Sequence, residues 1–235
     1  MILAAGRGER MRPLSDHLPK PLLVAGGKSL IVRQIEALRD AGIVDIVINA
    51  SHLAGAMQEA LGDGSGHGVR IAWSIEPEPL ETAGGIATAY PLLHAPVTVI
   101  VSGDIVTDFR YETLIDRARR MADDPSPPRV HFVMVPNPDY HREGDFGLVD
   151  GMIREDPGDR FTFGNIALYD TSLFAELPRG AKLKLLPLFR AWIAASLVSG
   201  ELYTGRWSNV GTPDDLAALD RELREQQTGA VGATA

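Results

Sequence analysis

A short apolar run, Met1 to Ala4, breaks into Ala5-Gly6-Arg7-Gly8, and this stretch restricts the fold more tightly than any other. A run of this kind closed by glycines reads as a buried strand ending in a tight turn. Small residues at the turn let a ligand approach the backbone. Gly6 and Gly8 let successive N–H groups converge on an anion. Arg7, Arg10, Arg12 and Lys20 then place four cations in one short segment. A strand, a glycine turn and clustered cations suit a triphosphate. The Gly-Lys-Ser/Thr ending of a P-loop is missing, and so is the third glycine of the dinucleotide fingerprint.

An anion-binding turn at a strand end needs a sheet around it. Ser29 to Ala41 carries Leu30, Ile31, Ile35 and Leu38 at helical spacing, and Gly42 supplies the stop. Asp45 to Asn49 reads as a buried parallel strand, Leu53 to Leu61 as a helix, and Val69 to Ile75 as a third strand. Thr82 to Gly85 opens a helix expected over Ile86 to Leu93. Val97 to Val101 is a β-branched central strand ending in Ser102-Gly103-Asp104. This alternation predicts an α/β fold: a Rossmann-like, doubly wound, mixed but mostly parallel sheet, flanked by helices in one three-layer domain. Ligands in such sheets bind outside the carboxyl ends of the strands, which is where the glycine turn lies.

Further on, Tyr111 to Met121 reads as helix, Asp123 to Arg129 as a loop, and Val130 to Val135 and Phe161 to Tyr169 as strands. Asp108 reads as the cap of a turn. Lys182 to Leu188 leads into an amphipathic helix ending at Leu197, expected to shield the pocket. Thr212 to Asp215 caps a last helix, Leu216 to Glu225. The domain is expected to span residues 1–225, with 226–235 a disordered tail. The six histidines show no metal spacing and read as surface or satisfied side chains.

A net charge of −8 argues against general nucleic-acid binding. There is no cysteine, no apolar run of membrane-spanning length and no signal-peptide pattern before the first strand. These points lead to an expectation of a cytoplasmic protein with no membrane or nucleic-acid partner. Oligomeric state stays open.

The pattern L-A-A-G-x-G-x-R-M-x-P-L of Leu3 to Leu14, followed by Pro19-Lys20-Pro21-Leu22, resembles the signature of sugar-1-phosphate nucleotidyltransferases. The resemblance implies that family's GT-A-like nucleotidyltransferase fold. It implies Arg10 as the catalytic arginine, Lys20 as the phosphate-binding lysine, and nucleotide contacts from Leu3, Ala4, Ala5, Gly6 and Gly8. Glu76 to Gly85 resembles the family's base-reading loop, which implies Glu76, Glu81, Thr82 and Ala83 at the nucleotide. Read from the residues alone, Glu78 and Glu81 are equally first-turn acids favoured by a helix dipole. Gly103-Asp104 resembles the family's G-D, whose aspartate holds Mg²⁺, with Gly103 beside the nucleotide. Gly144 to Gly147 and Thr162 to Ile166 resemble segments that line the sugar pocket, implying Gly147 and Asn165 as sugar contacts. On this basis residues 1–110 form a nucleotide-binding half and 130–215 a sugar-binding half. Members usually carry a few residues before the part matching Met1, so the first strand is expected to be short.

One position departs from the pattern. Where members have W-x-D-V/I-G-T-P, with the aspartate as second metal ligand, this chain has Trp207-Ser208-Asn209-Val210-Gly211-Thr212-Pro213. A carboxamide oxygen still ligates Mg²⁺, but Asp104 would then be the only anionic ligand. Glu78 to Gly85, Gly144 to Phe146, Lys184 to Leu188 and the Trp207 stretch are most similar to short uridylyltransferases acting on N-acetylmuramate 1-phosphate in peptidoglycan recycling. The implied reaction joins an NTP, UTP first, to a sugar 1-phosphate, giving NDP-sugar and pyrophosphate with Mg²⁺. Two alternatives stay open. One is glucose or mannose 1-phosphate with UTP, dTTP or GTP. The other is a non-catalytic nucleotide-sugar-binding subunit, supported only by Asn209.

Overall fold

A computed structural model describes residues 1–124, 126–155 and 158–232. In chain order the elements are β1 (Ile2–Leu3), β2 (Val24–Ala25), β3 (Lys28–Ser29), α1 (Leu30–Asp40), β4 (Asp45–Ala50), α2 (Ala54–Leu61), β5 (Arg70–Ile75), α3 (Glu81–Ala89), β6 (Val97–Ser102), β7 (Ile105–Thr107) and α4 (Glu112–Asp123). There follow β8 (Val130–Val135), β9 (Phe146–Val149), β10 (Met152–Arg154), β11 (Arg160–Asp170), α5 (Leu186–Ala194), β12 (Val198–Leu202), β13 (Trp207–Asn209) and α6 (Pro213–Gly232). Among the described residues, no helix is long and apolar enough to cross a membrane.

Nine strands form one sheet in the order β5-β4-β1-β6-β11-β8-β12-β10-β9. Strand residues alternate between two cores. Ile2, Ile46, Ile48, Val99 and Val101 face α1, α2 and α4, whereas Val47, Ile100, Phe132 and Tyr169 face α3 and α5. Helices therefore cover both faces, which makes three layers. A third core under α6 joins Met11, Leu23, Ala25, Val210 and Leu219.

The sheet is mixed, but its parallel character is confined. β5, β4, β1 and β6 run parallel. Beyond β6, among the described residues, only β8 and β12 pair in parallel; β11 is antiparallel to both β6 and β8. The expectation of a mostly parallel sheet is thus corrected for the second half. Part of the cause is an Asp150-Gly151 turn with φ of 51° and 74°. Such a two-residue turn matches strand twist and closes a hairpin, here β9–β10.

Three further expectations change. α3 begins at Glu81, so Thr82 to Gly85 lie inside it rather than ahead of it. The last helix starts at Pro213 and continues past Glu225 to Gly232, where an unstructured tail was expected from residue 226; the Gln227 side chain bonds the Gly26 carbonyl at 3.1 Å. Residues 233–235 lie outside the described residues. Asp108 caps no helix; its carboxylate accepts the Tyr203 hydroxyl. His131 is fully buried and satisfied as expected: its Nδ1 sits 2.8 Å from Ser199 Oγ and its Nε2 3.6 Å from Glu201 Oε1.

Candidate active site

β1 sits between β4 and β6. The chain leaves β1 toward β4 and returns to β6 on the other side, so a crevice opens at the carboxyl ends of β1 and β6, the place where open α/β sheets bind ligands. The turn after β1 is fixed from below. Ala4 N donates to Asn49 Oδ1 at 2.9 Å, and Gly103 N donates to the Leu3 carbonyl at 2.9 Å. The Gly8 carbonyl accepts Met11 N and Ser15 Oγ, and Met11 is fully buried. With its backbone pinned, the segment turns Arg7, Glu9 and Arg10 outward. Gly8 has a φ of +63°, and a Cβ there would lie 3.0 Å from Lys20 Cβ. A glycine is required for the lysine to lie against the turn.

The cleft above this turn encloses about 690 Å³. Leu3 to Arg10, Lys20 and Asp104 form one wall, and Glu76 to Thr82, except Pro77, line the other. The Lys20 ammonium pairs with the Asp104 carboxylate, the two side chains being 12% and 26% exposed. Arg10 is exposed and forms no hydrogen bond or ion pair among the described residues. Its guanidinium lies beside Gly211, where a Cβ would come 3.6 Å from Arg10 Nη1. Asp215 holds that position by accepting Gly211 N and Thr212 N at 3.0 and 2.8 Å, while Thr212 Oγ1 caps Asp215 N as the sequence led one to expect.

The second wall is built differently. Glu76 is 2% exposed. Its Oε1 accepts Asn49 Nδ2 at 2.7 Å and its Oε2 accepts Leu80 N at 3.0 Å. Burial pushes its carboxyl above the ordinary pKa, and the Asn49 and Leu80 bonds work against that rise. Since Asn49 also accepts Ala4 N, one amide connects both walls. Gly85 packs directly on this network: a Cβ there would sit 2.7 Å from both Asn49 Nδ2 and Glu76 Oε1. Glu81 lines the rim with a φ of 60°, a left-handed backbone that costs a non-glycine residue about 1–2 kcal/mol.

The remaining expected contacts divide. Ala83 is fully buried and does not line the cleft; the N–H groups of Ala83 and Gly84 are taken by the Leu183 carbonyl at 3.0 and 3.1 Å. The expected free donors at the start of α3 are therefore occupied at those two positions. Gly103 lies beneath the cleft, where a Cβ would come 3.3 Å from the Leu3 carbonyl. Asn165 has a φ of 55° at an irregularity of β11 between Phe163 and Ala167. Ile166 pairs with Val101, so Asn165 falls beside Ser102, two residues before Asp104. Gly147 is buried in β9, paired with Arg154 and Arg160, away from the cleft. Asn209 is opposite Ile105, and Val210 N donates to the Asp104 carbonyl at 3.1 Å. The backbones meet, but the Asn209 side chain lines a neighbouring cavity of about 250 Å³ with Tyr140. α5 does not shield the cleft. Its Phe189 and Trp192 stack among Phe132, Phe174 and Tyr169, and the segment before it contributes Lys182 to the cleft instead.

The sequence reading missed Asn49, Gly85 and Lys182. Asn49 carried one signal, a polar residue ending an otherwise apolar buried strand. Gly85 was read only as one of the small residues opening a helix.

Residues 1–155 match the family model described as nucleotidyl transferase. The chain belongs to that family. This nucleotidyltransferase is 43% identical over 216 residues to the N-acetylmuramate alpha-1-phosphate uridylyltransferase of Neisseria meningitidis serogroup B, covering 90% of this chain and 92% of that protein. It is 30% identical over 233 residues to the mannose-1-phosphate guanyltransferase of Gibberella zeae, covering 92% of this chain but only 61% of the longer relative. A Bacillus anthracis crystal structure assigned as a glucose-1-phosphate thymidylyltransferase, in complex with a sucrose, superposes with a TM-score of 0.82 at 20% identity. It covers 95% of this chain and 94% of that one, and shows a shared fold.

Proposed function

We propose that this nucleotidyltransferase joins UTP and N-acetylmuramate α-1-phosphate, releasing pyrophosphate, in a reaction assisted by Mg²⁺. The observation that carries the reading is the convergence of the glycine turn, Arg10, Lys20 and Asp104 at the carboxyl ends of β1 and β6. The 43% identity over most of both chains supports the base and the sugar.

The sugar phosphate is already an anion, so its attack on the α-phosphate needs no general base. The obstacle is the approach of one anion to another, and catalysis becomes positioning and charge stabilisation. The glycine turn between Leu3 and Gly8 seats the triphosphate. Arg10, free of protein partners among the described residues, is available to neutralise charge on the α-phosphate and the leaving pyrophosphate. Lys20 exchanges Asp104 for the attacking phosphate and holds it. Asn165, beside Ser102, faces the sugar side, and Gly147 belongs to the strands behind it. On this reading residues 1–110 form the nucleotide half and 130–215 the sugar half.

Among the described residues no three His, Cys, Asp or Glu side chains converge as a metal group. Asp104 offers one hard carboxylate on the cleft, which fits Mg²⁺, an ion that usually binds one or two protein groups plus substrate phosphates. Asn209 would add its carboxamide oxygen only by turning its side chain from Tyr140 toward Asp104. A bound ion would supply positive charge against the negative charge of the reacting phosphates.

The test is pyrophosphate release by the purified chain with UTP, dTTP and GTP, each against N-acetylmuramate, glucose and mannose 1-phosphates. Turnover highest with UTP and N-acetylmuramate 1-phosphate is expected. A higher kcat/KM with GTP and mannose 1-phosphate overturns the substrate assignment, and no turnover with any pair overturns the enzymatic one.

A further inference from the structure

Four lysines occur in the chain. Lys28 pairs with Glu36, Lys184 is exposed, and the other two, Lys20 and Lys182, face the cleft. Lys182 comes from a segment, Arg179 to Lys184, that is strapped along α3. Leu183 N donates to the Leu80 carbonyl at 3.0 Å, and the Leu183 carbonyl accepts Ala83 N and Gly84 N. Gly180 N donates to Thr88 Oγ1 at 2.9 Å. A Cβ on Gly84 would come 2.1 Å from the Ala181 carbonyl, so only glycine admits the strap. The backbone at Lys182 is therefore fixed while its exposed side chain reaches the mouth of the cleft.

That ammonium meets Glu78 Oε2 at 2.6 Å, with side chains 57% and 61% exposed. An ion pair this open contributes little to stability, so stability does not account for it. Glu78, Lys182 and Arg7, from the glycine turn, all line the cleft, and the bond to Lys182, helped by the charge of Arg7, holds the Glu78 carboxyl below the ordinary pKa. One exposed carboxylate thus marks a place at the cleft mouth where two cations converge on negative charge.

We infer that Lys182 is a polyphosphate-binding residue: together with Arg7 it grips the β- and γ-phosphates of the bound nucleotide, and Glu78 occupies that place in the free protein. The inference rests on the reading of the cleft as a nucleoside triphosphate site. A lysine suits this role as a compact point charge on a flexible stem. The strap comes from the second half of the chain, so the triphosphate would be held from both halves.

The experiment is calorimetric titration of UTP and of UMP, with excess Mg²⁺ at low salt, into the parent chain, Lys182→Met, Lys182→Arg and Glu78→Gln. Lys182→Met is expected to weaken UTP about tenfold, as for one lost charge-assisted contact, and to leave UMP unchanged. Lys182→Arg, which keeps the charge but replaces the point charge by a planar fork, is expected to recover only part of the lost affinity. Glu78→Gln is expected to tighten UTP, because it releases Lys182 and removes a like charge. A structural latch gives the opposite pattern: both Lys182→Met and Glu78→Gln weaken UTP alike, and the inference falls. It also falls if Lys182→Met leaves UTP unchanged, or weakens UMP as much as UTP. If the parent binds neither nucleotide, the triphosphate reading falls and takes the inference with it.

Discussion

The two walls of the cleft are made by opposite means. The wall from Leu3 to Lys20 presents cations on a pinned backbone: Arg7 and Arg10 are exposed, and Lys20 has a single ionic partner among the described residues. The wall from Glu76 to Gly85 presents no unpaired carboxylate at its base. Glu76 is buried and bonded at both oxygens, and Gly85 leaves no space around it. The first wall keeps charge uncommitted and available to a ligand. The second commits its charge to shape. Mutations should therefore separate activity from stability according to the wall they touch.

The sharpest separation is expected at Arg10. Arg10→Ala removes an exposed side chain with no partner among the described residues, so the melting temperature should stay with the parent. Turnover should fall about a hundredfold or more, as for removal of one preorganised electrostatic group. A mutant with near-parental kcat, or one with a clearly lowered melting temperature, breaks the contrast on this wall.

Gly85→Ala should do the reverse. A methyl group forced to 2.7 Å from Asn49 Nδ2 and Glu76 Oε1 displaces a buried polar network, and overpacking of this kind costs about 1–3 kcal/mol. Denaturant unfolding should show the loss. Because Asn49 also holds Ala4 N, KM for the nucleotide should rise while kcat changes less. Parental stability in this variant means the second wall yields easily and is no more committed than the first.

The same contrast explains what was legible in the sequence. The cations and glycines of the first wall fall within twenty residues, so their spacing and chemical type were visible without a structure. The network of the second wall spans Ala4, Asn49, Glu76 and Gly85, with Asn49 bonded across 45 and 27 positions. No local pattern announces such a set. Gly84 and Gly85 were read as opening the helix, yet they lie within α3, where close approach by Ala181 and by Glu76 demands them. Asn165 was assigned to an alternating strand; that alternation hides the irregularity that gives it a φ of 55°. Asn209 was visible as a departure from a motif, but that its side chain meets Tyr140, far off in sequence, was not. The parallel half of the sheet followed from periodicity, while the antiparallel half rests on β11 entering between β6 and β8 and on the Asp150-Gly151 hairpin, neither of which periodicity orders.

A smaller effect is expected at Lys20, which stands between the two behaviours, being 12% exposed and paired with Asp104. Lys20→Ala should raise KM for the sugar 1-phosphate about tenfold, the scale of one hydrogen bond to a charged group, with little change in KM for the nucleotide. Arginine should substitute poorly, since its planar fork is not a point charge. Equal rises in both KM values would place Lys20 with the shape-giving wall.

The smallest effect is a pH dependence confined to the second wall. Burial raises the Glu76 carboxyl above the ordinary glutamate value near 4.5, more than the Asn49 and Leu80 bonds lower it. In the window between that ordinary value and the raised one, the folded chain holds a proton that the unfolded chain has released. Stability from this group is therefore greatest below the ordinary value and declines as pH rises through the raised one. Asp45, Glu78 and Asp220, whose carboxyls are held below the ordinary range, act the other way at lower pH, so the raw stability curve is not the test. The test is the difference between the parent and Glu76→Gln, followed by denaturant unfolding across this window. The introduced glutamine cannot satisfy both neighbours, because its amide must turn one N–H₂ donor toward Asn49 Nδ2 or Leu80 N, and Asn49 cannot flip without losing Ala4 N. That mismatch costs about 1–3 kcal/mol but does not titrate. It appears as a constant offset, whereas the lost titration appears as a slope: the gap between parent and variant should narrow as pH rises. A gap that stays constant with pH would mean that the Glu76 carboxyl titrates alike in the folded and unfolded chains, and that its bonds fully offset its burial.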